Sequence, residues 1–219
     1  MRVCLRALTG RTLLLAVLGL SGCQGAYYGA LEKVGVHKRD IMVSRVEAAR
    51  DSQEETKEQF ISALEQFSQV VNFDGGALET EYERLDRKFE RSEAGAREVS
   101  DRIDAVQDVS QALFDEWQEE LALYKDERLR ASSARQLSAT RERYRQMLGA
   151  MRKAERSMQP VLNAFRDRVL FLKHNLNARA VASLKGELSQ VERDVAGLVQ
   201  EMQRSIDESN AFIEQLGTA

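Results

Sequence analysis

Apolar residues return at alternating intervals of four and three from Met42 onward, through Val46, Ala49, Phe60, Ala63, Phe67 and Val70. Gln53 and Thr56 stand in the same frame. This spacing is the seam of a coiled-coil helix. Asn72-Phe73-Asp74-Gly75-Gly76 interrupts it and is the strongest breaker in the chain. A second run follows from Leu78 through Leu85, Phe89, Val99 and Ile103 to Trp117. It breaks near Arg128 to Ser132, where Ser132 or Ser133 is the expected N-cap of the next helix. The third run joins Leu137, Met151, Met158, Phe165 and Leu172, and the fourth joins Val181, Leu188, Val195, Met202 and Leu216. Between them, Lys173-His174-Asn175-Leu176-Asn177 offers two asparagines, one to end a helix in the left-handed conformation and one to cap the next. A single helix from Ser133 to Leu216 is the alternative, but its length would be extreme. The pattern predicts helices at about 27–71, 77–126, 133–174 and 178–216.

These helices are expected to fold back on one another. Val70 matches Leu78, Phe67 matches Tyr82 and Val46 matches Ile103 about a centre at Asp74. Leu172 matches Val181, Phe165 matches Leu188 and Met151 matches Met202 about the Leu176–Asn177 junction. Two heptad runs always match modulo seven, so the informative pair is polar: Thr56 opposite Ser92, among aromatic layers. The fold class this implies is all-α, an elongated antiparallel four-helix coiled-coil bundle made of two long helical hairpins. In the same register Trp117 should face Leu31, and Tyr27, Tyr28, Trp117 and Tyr124 should gather at one end.

Composition agrees with long helices. Charged residues make up 31%, aromatics 6%, and there is a single proline, Pro160. Pro160 lies inside the third run, where a kink is expected. Gly95, Gly149, Gly186 and Gly197 lie inside helical runs and mark either close helix approaches or mere tolerance. Charge divides sharply: from Glu79 to Glu127 there are sixteen acidic and seven basic residues, and from Arg128 to Lys173 three acidic and twelve basic. An acidic helix followed by a basic one should pack side by side, ion pairs along the flanks selecting the partner. With its complement adjacent, the basic helix is not read as a nucleic-acid surface.

The first residues have a different character. Arg2, Arg6 and Arg11 precede an apolar run from Leu13 to Leu20, and Ser21-Gly22 leads into Cys23. A positive head, a short apolar core and small residues at a cleavage point make a secretory signal, so residues 1–22 are expected to be a signal peptide and 23–219 a single elongated helical domain. The apolar run is too short to span a bilayer. Leu20-Ser21-Gly22-Cys23 resembles the lipobox of bacterial lipoproteins. That resemblance implies acylation at Cys23, which would anchor the chain without any transmembrane helix. Cys4 would leave with the signal, so no disulfide is expected. Gln24 rather than aspartate follows the cysteine, and by resemblance to lipoprotein sorting this favours the outer membrane, facing the periplasm.

No motif for chemistry emerges. The phosphate loop Gly-x-x-x-x-Gly-Lys-Ser/Thr is missing, no serine has lysine three positions later, and His37 and His174 belong to no His-Glu-x-x-His pattern. No enzymatic activity, cofactor or metal is expected.

Tyr27 to Ile41, Val71 to Gly76, Leu113-Phe-Asp-Glu-Trp117 and Val169 to Asn177 together resemble an uncharacterised lipoprotein family of Gram-negative bacteria, known only as a domain of unknown function. The resemblance covers essentially everything after the signal and implies a periplasmic lipoprotein, with no ligand or catalytic residue to carry over. The expected function is a non-catalytic structural scaffold or adaptor of the cell envelope, held to the membrane through Cys23, with an envelope protein as partner and no nucleic acid. Homo-oligomerisation stays open. The alternative is a membrane-shaping helical dimer of the BAR type, which would need a basic face free to meet lipid. Both turns should lie at one end, bringing Phe73, Asp74, Lys173 and His174 together as the candidate partner-binding tip.

Overall fold

The computed structural model describes residues 37–218; residues 27–36 of the first expected helix, and Cys23, lie outside them. The fold is all-α, and among the described residues there are five helices and no strand: α1 (Lys38–Val71), α2 (Leu78–Glu120), α3 (Glu127–His174), α4 (Ala178–Lys185) and α5 (Leu188–Thr218). Every seam position of the first run from Met42 to Val70 is buried, including Gln53 and Thr56. One continuous core joins these to Leu85, Ile103, Met151, Phe165, Val195 and Met202. Burial of that stripe, rather than intrinsic propensity, is what holds helices of this length.

Side-chain contacts give the direction of each neighbour. Gln66 Nε2 donates to Glu81 at 2.8 Å and Lys38 Nζ to Glu116 at 2.8 Å, so α1 and α2 run in opposite directions. Trp117 meets Ser133 and Arg166 meets Glu93, which does the same for α2 and α3. Lys153 donates to Glu201 at 2.9 Å between α3 and α5, and Lys57 to Gln203 at 2.9 Å between α1 and α5. Each long helix thus lies against two others. Val71 and His174 end their helices on one side, here the tip; Lys38, Glu120, Glu127 and Thr218 lie at the opposite side, here the base.

The basic α3 does pack beside the acidic α2. Arg152 pairs with Asp104, Arg166 pairs with Glu93, and Ser100 donates to Glu155 at 2.6 Å. Such half-exposed pairs contribute about 0–1 kcal/mol each, so they choose the neighbour while the apolar seam supplies the stability.

Several local expectations are corrected. α2 stops at Glu120 rather than 126, and α3 begins at Glu127 rather than Ser133. Asp126 is the N-cap, accepting from Arg128 N at 2.8 Å and Leu129 N at 3.2 Å. A carboxylate satisfies the free amides of a first turn as well as a serine does, and Ser133 is instead buried under Trp117. Asn175 ends α3 at φ −137°, outside the left-handed region, with its Nδ2 donating to Phe171 O at 2.9 Å. Asn177 caps α4 as expected, accepting from Ala180 N at 3.1 Å. The fourth run is divided: α4 ends at Lys185 and α5 begins at Leu188, with Glu187 N bonded to Leu184 O at 3.0 Å.

α3 runs through Pro160 without interruption. Pro160 and Arg156, whose carbonyl it deprives of a helical donor, are both exposed residues. Thr56 and Ser92 are both buried but do not bond to each other: Ser92 Oγ donates to Lys88 O in its own helix at 3.1 Å. Thr56 lies against Gly95 instead, where an added Cβ would sit 2.6 Å from its Oγ1. Of the interior glycines, Gly95 therefore marks a close approach, whereas Gly149 and Gly197 face open space.

Candidate functional site

The two ends of the molecule differ from its flanks in one respect. Among the described residues the exposed large hydrophobic side chains are Leu170, Phe171 and Leu176 at the tip, and Leu123, Tyr124 and Leu129 at the base. Along the helices between, the large apolar side chains are buried or half-buried. Exposed apolar residues in groups mark contact surfaces more often than scattered ones do.

At the tip, the first turn is shaped by its own sequence. Asn72 Nδ2 donates to Ser68 O at 3.0 Å, closing α1. Gly75 at φ 152° and Gly76 at φ 109° then take conformations that residues with a Cβ rarely adopt. Phe73 is half-buried, with its amide on Val70 O at 3.2 Å, while Asp74 is exposed. Lys173 and His174 close α3, both exposed, in its last turn, where positive charge is favourable. Chain direction thus carries all four expected tip residues to the same end. No described hydrogen bond or ion pair joins Asp74 to Lys173. The signal that sequence patterning missed is the apolar group beside them: Leu170 is 50% exposed, Phe171 40% and Leu176 37%. Leu170 and Phe171 lie between the buried Val169 and Leu172, so a run of four apolar residues contains two that face outward.

Beneath the tip the core is closed by aromatic packing. Phe67 of α1 and Phe165 of α3, both fully buried, meet edge to face with centroids 6.2 Å apart. Arg168 pairs with Glu187 at 2.7 Å, fixing the α4–α5 joint against α3. Farther down lies a polar layer. Ser205 Oγ donates to Gln53 Oε1 at 2.8 Å, and Ser209 Oγ to Ser205 O at 2.7 Å. Gln53 is fully buried and its Nε2 has no partner.

At the base, Trp117 Nε1 donates to Ser133 Oγ at 2.8 Å. Leu31, its expected neighbour, lies outside the described residues, as do Tyr27 and Tyr28. Leu113, Trp117 and Leu216 form the apolar side of a partly open cavity of about 300 Å³, with Arg39, Glu116 and Thr140 around it. Above it, Tyr144 packs edge to face on Phe114 at 5.3 Å. Burial pushes its hydroxyl above the ordinary value of 10.0, against the opposing effects of Ser110 and Arg152.

Among the described residues, no cluster of three or more His, Cys, Asp or Glu side chains is arranged to hold a metal. No described helix is long and apolar enough to cross a membrane. What the arrangement can do is hold two small apolar surfaces apart at a fixed distance. α3, with 48 residues at about 1.5 Å each, sets that distance near 70 Å.

A family model described as a protein of unknown function, DUF2959, matches residues 27–216, and the chain belongs to that family. No curated protein and no solved structure matches it.

Proposed function

We propose that this member of the DUF2959 family is a lipid-anchored scaffold or adaptor of the cell envelope, with no catalytic role. In this reading the long helices act as one antiparallel four-helix rod, acylated at Cys23 and seated in the periplasmic face of the outer membrane. The tip would reach toward an envelope protein. The observation that carries it is the position of the exposed apolar group Leu170, Phe171 and Leu176, at the end remote from where the N-terminal segment enters at His37. A solvated tip has no use for these side chains, and a partner surface would cover them. Asp74, Lys173 and His174 would supply the polar rim of the contact.

The membrane-shaping alternative needs a basic face free for lipid. Arg152 and Arg166 of α3 are turned to Asp104 and Glu93 of α2, which weighs against it.

Photo-crosslinkers at Phe171 and Leu176 in living cells test the reading. Both should capture the same envelope protein, and Asp74→Lys with Lys173→Glu should remove that capture while helicity and melting stay unchanged. Undiminished capture in the double variant, or none from either position, would contradict a working tip.

A further inference from the structure

From the opposite end of the rod we infer a second contact: the turn between α2 and α3 is seated in the lipid interface, with Leu123, Tyr124 and Leu129 as the inserted side chains. This rests on the proposed anchor at Cys23. Leu123 is 73% exposed and Leu129 58%, the two highest values among the large apolar residues described.

Nothing in the local fold asks for these side chains. The turn is built by backbone and cap: Ala122 N bonds to Glu119 O, Leu123 N to Glu120 O at 2.9 Å, and Asp126 caps α3. Leu121, 8% exposed, is the residue that closes the core at this end. A turn made for water would carry polar residues at the positions of Leu123 and Leu129. Tyrosine beside leucine is instead the combination suited to a boundary between headgroups and acyl chains.

The occupant follows from where the chain enters. His37, the first described residue, lies at the base next to Lys38 and its partner Glu116. At 3.3–3.6 Å per residue, the stretch from Cys23 to His37 spans at most about 50 Å. From His37 the 34 residues of α1, at about 1.5 Å each, carry the tip about 50 Å away, so only a fully stretched segment would reach that end. An acyl anchor at Cys23 therefore favours the base as the end near the bilayer. The charges around the turn are mixed: Glu119, Glu120, Asp126 and Glu127 against Lys125, Arg128 and Arg130, all exposed. Such a set gives no net attraction to anionic lipid, so the contact is shallow, apolar and insensitive to salt.

The test uses the full lipidated protein in vesicles of phosphatidylethanolamine with phosphatidylglycerol. Cys4 and Cys23 are the chain's cysteines, so after processing a new one can be labelled selectively with a nitroxide. Labels at Leu123→Cys and Leu129→Cys should collide severalfold more with oxygen than with a water-soluble nickel chelate, at low and at high salt. A label at Leu170→Cys on the tip should show the reverse. Equal nickel access at 123 and 170, or a label at 123 shielded from both reagents by protein, would overturn the inference. The mass of the N-terminal peptide in the same sample separates the two readings. If Cys23 is lipidated and position 123 is wet, only this inference fails. If Cys23 carries no lipid, the anchor falls and the inference with it.

Discussion

Phe67 and Phe165 offer the sharpest check on how the helices are assembled, because they belong to α1 and α3, which are neighbours of common partners rather than of each other in sequence. Both side chains are fully buried and their rings meet edge to face at 6.2 Å. Truncating either to alanine removes the transfer free energy of a ring and leaves a cavity, together about 3–5 kcal/mol. That is a large share of the roughly 5–15 kcal/mol that holds a domain, so leucine replacements are the safer probes. In a Phe67→Leu, Phe165→Leu cycle, each single change should destabilise, and the pair should cost less than the two together. The ring–ring term alone is about 0.5–1.5 kcal/mol. The assay is urea unfolding followed by helical circular dichroism, with the slope checked for constancy. Residues that do not touch are additive within about 0.3–0.5 kcal/mol. Additivity inside that margin would mean that Phe67 and Phe165 do not touch, and the packing of α1 across α3 would be wrong.

Gly95→Ala should gain little or destabilise, because the new methyl meets Thr56 Oγ1 at 2.6 Å and Gln59 Oε1 at 2.4 Å; Gly149→Ala and Gly197→Ala, facing open space, should each stabilise by up to about 1 kcal/mol in the same melts. Ser205→Ala should cost about 1–3 kcal/mol by leaving the buried Gln53 carbonyl unpaired, whereas Gln53→Leu made with Ser205→Ala should recover much of it, since removing both partners is far cheaper than removing one. Tyr144 is raised chiefly by burial, so its neutral form is favoured in the folded chain. The associated stability is full below pH 10.0, the ordinary tyrosine value, and declines as pH rises through the higher folded value; a Tyr144→Phe variant should lose less stability over that alkaline range.

Much of the core was legible because heptad spacing reports burial directly. The first run was buried at every position, even where the residue was Gln53 or Thr56. The α4–α5 joint was invisible for the same reason. Val181, Leu184, Leu188 and Val191 keep their four-and-three spacing across Gly186–Glu187, so the chain bends without losing phase. The start of α3 is less legible because Asp126, Ser132 and Ser133 can each cap a helix, and Asp126 does so. Met147, Ala154 and Val161 are buried off the expected seam, since α3 touches both α2 and α5 and needs a wider stripe than one seam provides. At the ends, periodicity says which residues face the core but not which outward residues are apolar for a reason. Leu123 and Phe171 share the apolar character of core residues, and only their exposure sets them apart.

We propose that the protein is held to a membrane through Cys23. Mass spectrometry of the N-terminal peptide from the membrane fraction tests it most directly. The chain is expected to begin at Cys23 and to carry a diacylglyceryl thioether with an acylated amine, and a Cys23→Ser chain to leave the membrane or stay unprocessed. A chain that begins elsewhere, or a processed Cys23→Ser chain still held in the membrane, would contradict it.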